Sequence, residues 1–119
     1  MKIVKISDDQ ATEFSSDLFT GGKVYIQSCV NEQDSDQISS AMVNFNTGVK
    51  NKLHSHAGEQ ILFVTKGKGI VATAKEQFVV TPGTLIFIPA GEPHWHGATD
   101  EEPFSHLSVL RPGEMKILE

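Results

Sequence analysis

The sequence holds one cysteine, Cys29, one tryptophan and one tyrosine in 119 residues. A lone cysteine closes no intrachain disulfide and has no CxxC partner. The fold is therefore expected to form without covalent staples, with Cys29 serving as a small apolar strand residue. Basic clusters are missing too. The net charge is -5 at pH 7, a balance that repels nucleic acid and anionic lipid at long range rather than recruiting them. The densest charged patch, Asp100-Glu101-Glu102, reads as a solvated loop. No apolar run approaches the roughly 20 residues that span a bilayer. Met1 to Ile6 passes directly into Ser7-Asp8-Asp9-Gln10, which is too short and too polar for a secretory apolar region. These absences predict a soluble cytoplasmic protein with no nucleic-acid or membrane partner. Repeats, linkers and low-complexity tracts are absent as well, so residues 1–119 are read as one domain.

What is present is a series of short apolar runs separated by Gly- and Pro-rich turns. Lys23 to Val30, Ile38 to Phe45, Ile61 to Thr65, Ile70 to Ala74, Phe78 to Val80, Leu85 to Ile88 and Phe104 to Leu110 are rich in β-branched and aromatic residues and read as strands. Ile3 to Ile6 and Met115 to Leu118 are shorter candidates, and residues 11–20 offer a weak helical turn. Asn46-Thr47-Gly48, Lys66-Gly67-Lys68-Gly69, Thr81-Pro82-Gly83 and Pro89-Ala90-Gly91 punctuate the runs. The pattern predicts an all-β sandwich or barrel. Phe45, Phe63, Phe78 and Phe87 are expected in its core. Met42, Phe45, Leu62 and Leu110 are candidates for an apolar pocket wall. Gly48, Gly67, Gly83 and Gly91 are expected at turns needing positive φ or close backbone approach.

The five histidines are grouped: His54 with His56, His94 with His96, and His106 apart. Residues at i and i+2 of a strand point to one face, so His54 and His56 can aim two imidazoles at one point. If that strand continues, Gln60 shares their parity. A bulge at Gly58 would bring Glu59 round instead. Gln60 can also be read as an interior polar residue bonded to a histidine. Imidazole suits Mn, Fe, Ni, Cu and Zn alike. His96 shares the parity of His94 and reads either as a pocket residue or as a hydrogen-bonding support for a ligand. His106, with Phe104 and Ser108 on its face, reads as a general base or a satisfied core histidine. Trp95 points the other way, towards an outer face.

The residues around these histidines carry a resemblance. Gly48, His54, His56, Gln60 and Gly67 follow the spacing G-x5-H-x-H-x3-E-x6-G, and Gly83, Pro89, Gly91 and His94 follow G-x5-P-x-G-x2-H-x3-N. These two motifs, over 48–67 and 83–98, resemble those of the cupins. Gln60 stands in place of the family's Glu and Ala98 in place of its Asn. The Gln-bearing motif, Gly91-Glu92-Pro93-His94-Trp95-His96 and the later Ser105-His106-Leu107 are similar to a subgroup of small bacterial cupins. That subgroup includes manganese-dependent hydroxynitrile lyases and stand-alone relatives of the cupin found with carboxymuconolactone decarboxylases.

The resemblance implies a double-stranded β-helix, or jelly-roll barrel, holding one divalent transition metal ion (Mn, Fe, Ni or Zn) with His54, His56, Gln60 and His94. It implies His106 in the pocket, and His106 or His96 moving a proton. The amide of Gln60 leaves the site neutral, so an ion there keeps its full +2 charge and resists oxidation. A metal-dependent enzyme on a small organic substrate is expected, either a Lewis-acid lyase or an Fe-dependent oxygenase. The alternative is a non-catalytic cupin that binds or senses a small molecule. A homodimer is expected, with the N-terminal strand as a plausible exchange element.

Overall fold

The computed structural model describes residues 1–119. After a short 3-10 turn at Asp8–Gln10, thirteen strands follow: β1 Thr12–Phe14, β2 Phe19–Thr20, β3 Val24–Val30, β4 Ser39–Phe45, β5 Lys50–Asn51, β6 His54–His56, β7 Gln60–Gly67, β8 Gly69–Thr73, β9 Gln77–Val80, β10 Leu85–Ile88, β11 His94–Ala98, β12 Phe104–Leu110 and β13 Met115–Ile117. They form two antiparallel sheets. One runs β1-β3-β4-β12-β7-β10. The other runs β13-β6-β11-β5-β2, with β8 on the far side of β11 and β9 beyond it. This is the all-β jelly roll expected from the sequence. No helix is long and apolar enough to cross a membrane.

The alternation of each strand decides what lies between the sheets. On β7, Gln60, Leu62 and Val64 are buried while Ile61, Phe63 and Thr65 are exposed. β3 turns Val24, Ile26 and Ser28 to the same side as their partners Phe45, Val43 and Ala41 on β4. Phe45 stacks on Phe104 with centroids 5.9 Å apart, at the centre of a core that includes Val24, Val43, Val49, Val64 and Val80. Gly48, Gly67, Gly83 and Gly91 all have positive φ, as their turns require.

Three expectations are corrected. Of the four phenylalanines assigned to the core, only Phe45 is there. Phe63, Phe78 and Phe87 are 40%, 53% and 54% exposed, because Phe63 and Phe87 occupy outward positions of β7 and β10 and Phe78 lies on the outlying strand β9. Residues 11–20 form no helical turn but the strands β1 and β2. Ile3 to Ile6 is not a strand. It is an arm laid over the outer face of β3 and held by one side chain: the backbone N–H of Ser7 donates to Gln27 Oε1 at 3.0 Å, and Gln27 Nε2 donates to the Lys5 carbonyl at 3.0 Å. The arm buries Gln27 and Cys29 on a face that would otherwise be wet.

Candidate metal centre

β6 carries two of the histidines and is held on both sides. His54 pairs with His94 of β11, while His56 and His54 pair with Met115 and Ile117 of β13. The result brings His54, His56 and His94 together, with one ligand-capable atom from each lying within 4.8 Å of the others. Ring centroids are 4.3 Å apart for His54–His94 and 4.9 Å for His54–His56. His54 Nδ1–H donates to the Lys52 carbonyl at 2.7 Å, and His94 Nδ1–H donates to the Glu92 carbonyl at 2.8 Å. Each bond fixes the tautomer and leaves Nε2 with its lone pair free, the arrangement that orients imidazole ligands around an ion.

The chain does not continue as one strand from His56 to Gln60. β6 ends at His56, residues 57–59 cross to the other sheet, and Gln60 opens β7 there. Gly58 makes the crossing possible: a Cβ on it would run into the Arg111 carbonyl. Gln60 is buried and Glu59 exposed, so the amide, not the carboxylate, faces the barrel interior. Gln60 Nε2 donates to Ser108 Oγ at 3.0 Å, whereas Gln60 Oε1 and His94 Nε2 are buried with no partner. Orphaned buried acceptors are costly unless something satisfies them. His94 Nε2 belongs to the three-imidazole cluster, whose neutral nitrogen donors fit a divalent transition ion, and Gln60 Oε1 is a further buried acceptor with no partner.

His96 and His106 continue the cluster inward. Their centroids are 4.9 Å apart, and His96 lies 5.8 Å from His94. His106 is packed against both Phe45 and Phe104, at 5.7 and 5.4 Å, and neither of its ring nitrogens has a partner. Burial lowers the basicity of all five rings. His54, His56 and His106 are brought down to about 4. His94 is lowered, and His96 falls well below the usual histidine range. All five are therefore neutral at pH 7, as metal ligation and proton acceptance both require.

Two polar supports escaped the sequence reading. Asn51 is 3% exposed, accepts the His96 backbone N–H on Oδ1 at 2.8 Å, and sets its amide nitrogen 3.3 and 3.4 Å from the two His96 ring nitrogens. That near-equal reach lays the amide against the ring face. Ser108 holds the Gln60 amide, a contact that its shared parity with His106 could have suggested. Trp95 faces outward as expected, with Lys50 Nζ 5.0 Å from its ring centroid.

The inner faces of β3, β4 and β12 form a mouth of about 450 Å³ lined by Ile26, Ala41, Val43, Ser108 and Leu110. Ser108 and Val43 connect it to the site, the first through Gln60 and the second as the residue paired with His106. Of the four candidates for the pocket wall, Leu110 lines this mouth, while Met42 lies on the outer face near Ile6 and Phe63.

Comparisons with known proteins agree with this architecture. The cupin domain family matches residues 41–110. An (R)-mandelonitrile lyase from Granulicella tundricola is 30% identical over 112 residues, 92% of this chain and 83% of that protein. The crystal structure of a cupin-like protein from Thermotoga maritima is 32% identical and superposes with a TM-score of 0.85, covering 92% of this chain and 85% of that one. The polyketide cyclase RemF from Streptomyces resistomycificus shares the fold at 18% identity and a TM-score of 0.82, covering 99% and 87%. With the motif histidines gathered in one jelly-roll interior and the family matched over most of its length, the chain belongs to the cupins.

Proposed function

We propose that this cupin is a metal-dependent lyase that cleaves a small α-hydroxy nitrile, with His54, His56, Gln60 and His94 holding one divalent ion, manganese first among the candidates. The observation that carries the reading is His106: a buried, neutral imidazole with both nitrogens unpartnered, next to His96 and one ring removed from the three-histidine cluster. An ion in this neutral donor set supplies Lewis acidity towards a hydroxyl oxygen without inviting oxidation to +3. The apolar mouth receives the substrate's side group. His106, or His96 beside it, takes the hydroxyl proton; the carbon–carbon bond electrons leave with cyanide, and the same imidazole returns the proton to it. The similarity to a mandelonitrile lyase supports the substrate class.

A homodimer belongs to the same reading. On the outer face of β7 and the edge strand β10, Phe63 pairs with Leu85 and Ile61 with Phe87, and the four are 38% to 59% exposed. A second copy would cover this apolar patch.

The test is mandelonitrile cleavage by protein reloaded separately with Mn(II), Fe(II), Ni(II) and Zn(II), assayed aerobically and under strict anaerobiosis. Metal-dependent release of benzaldehyde that persists without oxygen supports the lyase. Activity confined to Fe(II) with oxygen consumption replaces it with an oxygenase. Tight ligand binding without turnover replaces it with a binding cupin.

A further inference from the structure

A second cavity reaches the histidines from the opposite flank. The two sheets do not close between β10 and the β8–β9 pair. Val71 and Thr73 stand directly opposite His96 and His94, and Phe78 stands opposite Val71, so all three lie on the inner face with the histidines. Ile86 and Ile88, paired with the buried Leu62 and Gln60, face them from the other sheet. The cleft between them holds about 180 Å³ and has His94 and His96 in its wall. None of its lining residues is shared with the mouth.

From this geometry we infer that the flank cleft is a second ligand subsite, taking a neutral benzene-sized ring that carries one hydroxyl. The volume is enough for one ring: an enclosed apolar cavity of roughly 150 Å³ lined by aliphatic and aromatic side chains holds benzene, and this cleft is of similar size though open at one side. The polarity follows from what interrupts the apolar wall. Thr73 Oγ1 already accepts the backbone N–H groups of Lys75 and Glu76 at 3.2 Å each, which leaves its own proton to donate. Glu92 also lines the cleft and, as a carboxylate, accepts. A ring hydroxyl satisfies both, whereas an anion meets the Glu92 charge. The inference does not depend on the mouth being the lyase pocket, because it requires binding and no turnover.

Methyl-labelled, Zn(II)-loaded protein titrated with benzyl alcohol and followed by carbon–proton NMR tests it. Saturable shifts at Val71, Ile86 and Ile88 are expected, with benzoate producing none there. Phe78→Ala, at a 53% exposed position, should weaken half-saturation by about tenfold, while Ala41→Phe in the mouth leaves it unchanged. Shifts confined to Ala41, Val43 and Leu110, shifts that rise linearly without saturating, or a response insensitive to Phe78→Ala would each overturn the assignment.

Discussion

His54 and His94 stand directly opposite one another across β6 and β11, and each donates its Nδ1 proton to the carbonyl of the residue two places earlier. The two rings are thus oriented by the same local device on two strands that meet only in the folded barrel. Nothing about the ion needs to be present for the Nε2 lone pairs to converge. In wild-type protein reloaded with Mn(II), elemental analysis should find close to one ion per chain. His94→Ala and His54→Ala should each retain less than about a tenth of that, since each removes an oriented ligand.

Replacing Gln60 by Glu should tighten the site. A carboxylate adds a full negative charge beside the ion, and Ser108 can still donate to it. Mn(II) affinity is expected to rise on the order of tenfold or more, measured by competition with a chelator, and bound Fe(II) should oxidise in air faster than in the parent. Equal affinities in the two proteins would mean that the position 60 side chain does not touch the ion.

The buried histidines set a direction for stability against pH. Their folded basicity is lowered to about 4 for His54, His56 and His106, against about 6.5 in the unfolded chain. Above that upper value both states are neutral and the metal-free protein has its full stability. As pH falls from about 6.5 towards 4 the unfolded chain gains protons that the folded one refuses, so stability falls, by up to about 1.4 kcal/mol per pH unit for each fully buried ring such as His54 or His106. Urea denaturation of metal-free protein at pH 7.5, 6, 5 and 4 should show this decline. His106→Phe should make the decline shallower by one ring's share, leaving that of the other buried histidines.

Gly58→Ala places a methyl group against the Arg111 carbonyl. Overpacking of this kind costs about 1–3 kcal/mol. Because Gly58 sits in the crossing between His56 and Gln60, the variant should lose metal affinity together with thermal stability. A melting temperature equal to that of the parent would contradict the tight approach.

Phe87→Asp, together with Leu85→Lys, should convert a dimer to a monomer in light scattering at micromolar concentration, with metal content unchanged. A parent protein that is itself monomeric under those conditions would end the dimer proposal.

The histidine cluster was legible because i and i+2 spacing fixes side-chain direction in any strand, and because the flanking glycines fall where positive φ is needed. The route to Gln60 was not. Parity along a continuing strand suggested that residue, yet the chain leaves one sheet and enters the other between His56 and Gln60, so the inward direction of Gln60 is set by its pairing with Leu110 and Ile88. Phe63 and Phe87 were misplaced because aromatic content marks a strand without saying which of its faces meets the core, and Phe78 because an inward-facing residue on the outlying strand β9 is still left exposed. The N-terminal arm was unreadable for a different reason: its anchor, Gln27, is a side chain some twenty residues away that supplies the bonds a neighbouring strand would have made.

β13 lies alongside β6 with every residue exposed. The Leu118 N–H donates to the Leu53 carbonyl, and the Ala57 N–H to that of Glu114. An ion that stiffens His54 and His56 must therefore also stiffen residues 114–118, and anything that peels those residues away must loosen the ion. Carboxypeptidase trimming of the tail then becomes a gauge of metal occupancy, and a tag attached at this end becomes a perturbation of the site rather than a neutral handle.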